Sequence, residues 1–155
     1  MCFSFLQTNQ HEGQQGFTLL EVLLSVALIA AIAGMSIPIY LSFQNRNELD
    51  IASVTVAQTL RRAQVLAQAS DGDSSWGVHM GSTTITLFQG ASYATRSSGF
   101  DEVFQVPENI ESSGLTEVVF EKFTGTPNTT GTLTYTSPAN ETREITLNSE
   151  GMVQY

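Results

Sequence analysis

Cysteine is nearly absent from this sequence, whose one cysteine is Cys2. A single thiol excludes an internal disulfide, and it also excludes a metal site built from several cysteines. Histidine is almost as scarce, because His11 and His79 are the only two and stand far apart. The sequence suggests no Ser/His/Asp or Cys/His set, no glycine-rich phosphate loop and no metal-ligand cluster. We therefore predict that the protein is not an enzyme and needs no cofactor.

Basic residues are also few. The chain has six Lys and Arg against fifteen Asp and Glu, which gives a formal net charge of −9. An acidic surface repels the phosphate backbone, so no nucleic-acid partner is expected. Acidity of this kind is typical of a well-solvated surface on an exported domain.

A long apolar run stands out against this background. No charged residue occurs from Val22 to Asn45, and about 20 apolar residues are enough for a helix to cross a bilayer. Glu21 lies at the start of the run, where a carboxylate costs on the order of a few kcal/mol and usually marks function. We predict a hydrophobic transmembrane or assembly helix over residues 17–45.

The carboxylate belongs to a short stretch that resembles the prepilin processing motif of type IV pilins and type II secretion pseudopilins, Gly16-Phe17-Thr18-Leu19-Leu20-Glu21. The resemblance implies that prepilin peptidase cuts after Gly16 and methylates the new amino terminus of Phe17. It implies that Glu21 pairs with the charged amino terminus of a neighbouring subunit during assembly. The alternative for Glu21 is a carboxylate wetted by lipid headgroups at the end of the span.

Residues 1–16 are the leader peptide in this interpretation. They are polar and precede the apolar run, whereas the apolar core of a Sec signal peptide precedes its cleavage site. The apolar helix would then stay with the mature chain, which would contain no cysteine. The alternative is an ordinary single-pass anchor.

Two alternatives stay open for the helix near Gly34 and Pro38. Many members of the family that the motif resembles have a proline at the position of Pro38. A proline removes one helical hydrogen bond, and Gly34 lies at the carbonyl that its ring would crowd. The helix either breaks locally there or continues as a membrane helix in which neighbouring groups compensate for the lost bond.

Residues 46–70 continue the helix with an amphipathic surface. Apolar residues recur at spacings of three and four, which predicts one stripe packed on a globular domain. The stripe consists of Leu49, Ala52, Val56, Leu60, Ala63 and Ala67. The alternatives for Arg61 and Arg62 are a basic contact site and a solvated face, and the solvated face is the preferred interpretation. Ser70–Ser75 ends the helix, and although Asp71 and Asp73 suggest calcium, their spacing does not match a complete calcium loop.

Residues 71–155 are predicted to form a β-rich globular domain. Trp76–Met80 and Thr83–Phe88 flank Gly81-Ser82, which is the pattern of a hairpin. Further strands are predicted at Glu102–Val106, Glu117–Phe123, Gly131–Thr136, Glu144–Leu147 and Met152–Tyr155. Trp76 is expected in the core. The predicted fold class is α+β: a long N-terminal helix packed on a small antiparallel sheet, as in pilins.

The β region resembles the β domain of H-type minor pseudopilins and related minor pilins, the GspH/FimT group. The resemblance is carried by the stretches WGVHM, TITLFQGASYATR, EVVFEKFTGTP and REITLNSEGMV. It implies a structural subunit of a type IV pilus or pilus-like filament. The alternatives are a minor pseudopilin of a type II secretion system and a membrane-anchored extracytoplasmic binding domain.

The same resemblance implies the partners and the location. The partners would be other pilin subunits, prepilin peptidase, an inner-membrane assembly platform and, before assembly, membrane lipid. The precursor would cross the inner membrane once, and the mature chain would lie in an extracellular or periplasmic filament.

Overall fold

The computed structural model describes residues 16–155, apart from the side chains of residues 35–39 and 41–42. The predicted leader, with Cys2 and His11, therefore lies outside the described residues except for Gly16. The chain divides into two units, Met1–Ile39 and Tyr40–Tyr155.

One long α-helix, α1 (Leu19–Gln68), contains both the apolar run and the amphipathic continuation. The predicted stripe is confirmed, because all six of its residues are buried in the second unit. The helix ends at Gln68 and a turn follows. In this turn Ser70 adopts a left-handed conformation with φ 54° and donates its N–H to the Ala67 carbonyl at 3.0 Å. The predicted end of the helix near Ser70 is therefore also observed.

The second unit contains eight described strands, which form two antiparallel sheets. They are β1 (Trp76–Met80), β2 (Thr84–Gln89), β3 (Glu102–Gln105), β4 (Glu111–Gly114), β5 (Glu117–Phe120), β6 (Gly131–Thr136), β7 (Thr142–Leu147) and β8 (Val153–Gln154). The first sheet has the order β3-β2-β1-β5, and the second has the order β4-β6-β7-β8. The predicted β1–β2 hairpin is present, with Met80 opposite Ile85.

The strands differ from the sequence-based prediction in four ways. The β region forms two sheets rather than one. The sequence does not predict β4, because its residues are polar and show no alternation of apolar and polar side chains. It is an exposed edge strand that is held by backbone pairing to β6. β5 ends at Phe120 rather than Phe123, since the chain turns at Phe123, whose φ is 69° and whose N–H donates to the Ala67 carbonyl. β8 is likewise shorter than predicted.

The core lies between the stripe of α1 and the inner faces of the two sheets. Trp76 is only 5% exposed, as predicted, and its Nε1–H donates to the Asp71 carbonyl at 2.9 Å. Tyr135, Phe120 and Ile145 are among the largest fully buried side chains of this cluster. Because the core includes side chains from α1 and both sheets, folding couples the helix to the whole β region.

The outer face of the first sheet is covered by the segment that follows β2. The Tyr93 ring stacks on His79 with their centroids 3.9 Å apart, and the Arg96 guanidinium carbon lies 3.8 Å from the Tyr93 ring centroid. The Tyr93 N–H donates to Glu117 at 3.1 Å, and Arg96 pairs with Asp101 at 2.8 Å. His79 is therefore a packing residue of this layer.

A glycine beneath this layer makes a sharp stability test. On β1, a methyl group added at Gly77 would overlap the Phe88 ring and lie 2.9 Å from the Val118 carbonyl oxygen. We expect Gly77→Ala to lower the free energy of unfolding by about 1–3 kcal/mol, because the rigid strand backbone limits relaxation. Denaturation of the full chain in detergent, followed by fluorescence of the single tryptophan, Trp76, would measure it.

The matched control is Gly99→Ala, where nothing lies within 4 Å of the added carbon. This variant should unfold within about 0.5 kcal/mol of the parent, as surface substitutions usually do. An equal effect at both glycines would contradict the packing described for β1 and β2.

Tyr135 gives a second test, which depends on pH. The side chain is fully buried, and its hydroxyl has no hydrogen-bond partner in the part of the chain whose side chains are described. Burial raises the pKa of this hydroxyl to about 12 from an ordinary 10. Because the hydroxyl ionises near pH 10 in the unfolded chain but near pH 12 in the folded one, the free energy of unfolding keeps its full value below pH 10 and falls by about 2–3 kcal/mol as the pH rises from 10 to 12.

We expect Tyr135→Phe to be at least as stable as the parent at pH 7, because it removes a buried polar group without a partner. Its advantage should then grow between pH 10 and pH 12. Urea denaturation of both chains at each pH would measure this, with Tyr155→Phe, an exposed tyrosine, as the control. A constant difference across this range would show that the Tyr135 hydroxyl is not desolvated.

Candidate processing and assembly site

The predicted cleavage site lies just before the first turn of α1. Gly16, Phe17 and Thr18 are not helical, and the helix begins at Leu19. The Thr18 hydroxyl oxygen accepts the backbone N–H of Glu21 at 3.2 Å, which is the bond of a helix N-cap. The bond between Gly16 and Phe17, which is the predicted cleavage site, therefore lies in exposed, non-helical chain.

Sequence analysis missed the capping role of Thr18. The signal was present, because Thr18 and Glu21 have the Thr-x-x-Glu spacing of a capping box. The carboxylate of Glu21 also lies in the first turn, where the helix dipole favours a negative charge. Glu21 thus has a local role in starting the helix besides the assembly role that the motif implies.

The apolar side chains around Glu21 have no partner surface within the described chain. Phe17 is 82% exposed, and the exposed residues continue along the helix with Leu19, Leu20, Leu24 and Leu28. A contiguous apolar surface of this extent indicates contact with lipid or with another protein. Glu21 is exposed within it, so any burial of its charge must come from a partner.

Within the part of the chain whose side chains are described, no helix has an apolar stretch long enough to span a bilayer. The predicted transmembrane span, residues 17–45, includes residues 35–39 and 41–42, whose side chains the structure does not describe. The predicted span therefore stays a prediction.

The backbone of α1 is helical through Gly34 and Pro38. Of the two alternatives for this region, the structure shows the uninterrupted helix. The side chain of Pro38 is outside the described residues, so its predicted assembly role stays a prediction.

The amphipathic part of α1 is fixed to the β6–β7 hairpin by ion pairs across the second unit. Arg46 pairs with Glu141 at 2.8 Å, and Asp50 pairs with Arg143 at 2.9 Å. Exposed pairs of this kind are each worth about 0–1 kcal/mol, so they orient the hairpin more than they stabilise it.

Glu48 connects the same part of the helix to the chain between β3 and β4. It accepts hydrogen bonds from Asn109 at 2.7 Å and from Gln44 at 2.9 Å. These two bonds lower the pKa of the Glu48 carboxyl below its ordinary value, in that order of importance. The carboxylate is therefore held charged beside the helix.

Two comparisons with known proteins bear on this arrangement. Residues 13–37 match the sequence model of the prokaryotic N-terminal methylation motif. The fold is similar to the minor pseudopilin EpsH from the type 2 secretion system of Vibrio cholerae, with a TM-score of 0.52 and 15% sequence identity. This chain has the methylation motif and the fold of a pilin-like protein. The EpsH similarity covers 69% of this chain and 94% of that chain.

The pilin-like α+β fold predicted from the sequence is thereby confirmed, and neither comparison is with an enzyme. A concavity of about 490 Å³ is lined by Gly114 to Glu117 and Thr129 to Thr132. It contains one carboxylate and no base paired with a nucleophile, so it offers no catalytic arrangement.

Asp71 and Asp73 lie in the turn after α1, as the loop prediction requires. Asp73 pairs with Lys122, and the Asp71 carbonyl accepts from Trp76. No group of three or more His, Cys, Asp or Glu side chains that could hold a metal ion occurs within residues 16–155. The geometry of these two aspartates is therefore that of a turn that ends the helix.

Proposed function

We propose that this chain is a minor pseudopilin, a low-abundance subunit of the pilus-like filament of a type II secretion machine. The observation that carries the proposal is the combination of a methylation motif at residues 13–37 with a fold similar to that of EpsH. The absence of any cysteine beyond Cys2 is consistent with it, since major pilins often close a C-terminal loop with a disulfide.

In this proposal the chain is inserted into the inner membrane as a precursor. Prepilin peptidase cuts after Gly16 and methylates Phe17, and the assembly platform then adds the subunit to the filament. The exposed apolar residues of α1 exchange lipid for the helices of neighbouring subunits, and Glu21 meets the amino terminus of one of them. The prediction from the sequence placed a type IV pilus subunit first, and the similarity to EpsH favours the secretion alternative instead.

The test compares surface pili with secretion in the cells that make the protein. We expect a peptide that begins at methylated Phe17, present in trace amounts in the filament fraction. Deletion of the gene should abolish secretion of an exported enzyme and leave surface pili in place.

Two outcomes would contradict this function. An abundant Phe17 peptide in sheared surface pili would identify a structural subunit of a type IV pilus. An uncleaved chain found only in the membrane would identify an anchored binding domain.

A further inference from the structure

Exposed apolar side chains cluster beside the last two turns of α1, in the second unit. Val65 lies on the helix, Phe123 lies in the turn after β5, and Met152 and Tyr155 flank β8. Their exposed fractions are 61%, 70%, 53% and 64%. Single exposed apolar residues are ordinary, but several that the fold brings to one region indicate an interaction site.

Hydrogen bonds from α1 hold the turn after β5 beside the turn before β8. The Phe123 N–H donates to the Ala67 carbonyl at 3.0 Å. Gln64 Nε2 donates to the Gly125 carbonyl at 3.2 Å and to the Glu150 carbonyl at 3.1 Å. The turn that carries Phe123 and the turn that precedes Met152 therefore both contact Gln64 of α1.

Arg61 extends the same surface by one helical turn. Its Nη2 donates to the Val153 carbonyl at 3.2 Å, and its guanidinium carbon lies 5.4 Å from the Tyr155 ring centroid. Arg61 and Val65 are four residues apart and so share a face of the helix. We call this the helix-end surface, which consists of Arg61, Val65, Phe123, Met152 and Tyr155.

Phe123 is the most informative member of the surface. Its φ of 69° is left-handed, a conformation that bulky residues rarely adopt and that glycine or asparagine would adopt at lower energy. Its ring is exposed and contributes little to the core, and the Lys122 Nζ lies 4.6 Å from the ring centroid. A residue that is unfavourable for the backbone and also exposed indicates a role other than folding.

The charged residues around the helix-end surface indicate which charges a binding partner needs. Five of the six Lys and Arg residues pair with carboxylates of the same chain, while Arg61 has no carboxylate within ion-pair distance in the described part. Glu121 and Glu150 lie in the two adjoining turns and have no cation partner among residues 16–155. A complementary partner therefore brings apolar groups, a carboxylate toward Arg61, and Lys or Arg toward the two glutamates.

A second copy of this chain does not fit that description. Its cations are already held in internal ion pairs, apart from Arg61 itself. Two copies would also repel one another, because each keeps an excess of Asp and Glu over Lys and Arg after the proposed cut.

We propose that the helix-end surface binds a different pilin-like subunit, with Phe123 as the anchor and Arg61 as the charge contact. This proposal rests on the function proposed above, because it takes the partner to be a member of the same filament.

The experiment uses the full chain in its own cells, with the photoreactive amino acid p-benzoylphenylalanine in place of Phe123. The matched control carries it in place of Phe100, which is 58% exposed and lies outside the helix-end surface. We expect an adduct at position 123 with a different chain that has an N-methylated terminus. Arg61→Glu should remove that adduct, whereas Arg62→Gln, which affects the cation paired with Glu102, should keep it.

An adduct between two copies of this chain, an adduct with lipid, or a yield at position 123 no greater than at position 100 would overturn the proposal. The N-terminal peptide of the same sample tests the proposed function separately. Cleaved and methylated Phe17 without an adduct overturns only the docking surface, while an uncleaved chain overturns the filament function.

A second variant separates docking from folding. Phe123→Gly relieves the left-handed backbone, and this offsets the conformational entropy that glycine adds to the unfolded chain, so we expect the melting temperature to stay within about 4 °C of the parent. Incorporation into filaments should nevertheless fall about tenfold or more, as for an interface anchor. A melting temperature that falls by more than this, together with normal incorporation, would show that Phe123 serves the fold.

Discussion

Replacing Glu21 with alanine is expected to leave the chain inserted and cleaved but absent from filaments. In the structure Glu21 is the one carboxylate within the exposed apolar part of α1. Once neighbouring helices cover this surface, the amino terminus of an adjacent Phe17 would be buried without a counter-charge. Removing one member of a buried pair costs about 3–5 kcal/mol, so incorporation should fall about 100-fold or more.

The capping geometry supplies a control that separates two roles of this residue. Thr18→Ala removes the hydroxyl that accepts the Glu21 N–H but keeps the carboxylate. If Glu21 acts by pairing charge, Glu21→Gln should fail to assemble, while Thr18→Ala should assemble despite losing about 1 kcal/mol of helix stability. If Glu21 acts only by starting the helix, Glu21→Gln and Thr18→Ala should assemble to the same extent.

The measurement is quantitative mass spectrometry of the filament and membrane fractions for the parent and the three variants. The membrane fraction reports insertion, and the Phe17 peptide reports cleavage. Normal amounts of Glu21→Ala in filaments would contradict the hypothesis that Glu21 pairs with the amino terminus of a neighbouring subunit.

The elements that sequence reasoning predicted well are those whose residues repeat in a pattern set by burial. The stripe from Leu49 to Ala67 is periodic because one helical face packs on the sheets, and all of it is buried. The β1–β2 hairpin is predicted from alternating residues and from Gly81-Ser82, and it is present. Its register differs from that of a two-residue Gly-Ser turn, because Met80 lies opposite Ile85 and the Gly81 N–H donates to the Thr84 carbonyl.

The elements that it did not predict depend on contacts between distant residues. β4 is defined by its pairing with β6, and its own residues are polar. The separation of the strands into two sheets follows from which strands become neighbours, which local patterns do not specify. The turn at Phe123 is stabilised by the Ala67 carbonyl far away in the chain, and a phenylalanine gives no local signal of a left-handed turn.

The candidate site shows the same division. The processing motif is contiguous, so Gly16, Phe17 and Glu21 could be selected from the sequence. The helix-end surface joins residues of α1, the turn after β5 and the neighbours of β8, so only the fold brings them together. The sequence also does not show that Arg62 pairs with a carboxylate, Glu102, whereas Arg61 donates to the Val153 carbonyl.

Gly16→Leu is expected to block removal of the leader. A carbon added at Gly16 meets nothing within 4 Å, so the folded chain tolerates a side chain there. The peptidase must instead accommodate this residue next to the bond that it cuts. A misplacement of about 1 Å at a reacting bond costs about 100-fold in rate, so we expect cleavage of Gly16→Leu to fall by about 100-fold or more.

Gly34→Leu is the matched control, because Gly34 also has open space around it and lies well beyond the cleavage site. Intact mass and N-terminal peptide analysis of membranes should show Gly16→Leu with residues 1–16 retained and Phe17 unmethylated, and Gly34→Leu fully processed. A shortened Gly16→Leu chain would place the cut elsewhere. Retention of the leader in both variants would mean that the apolar helix, rather than Gly16, controls recognition by the peptidase.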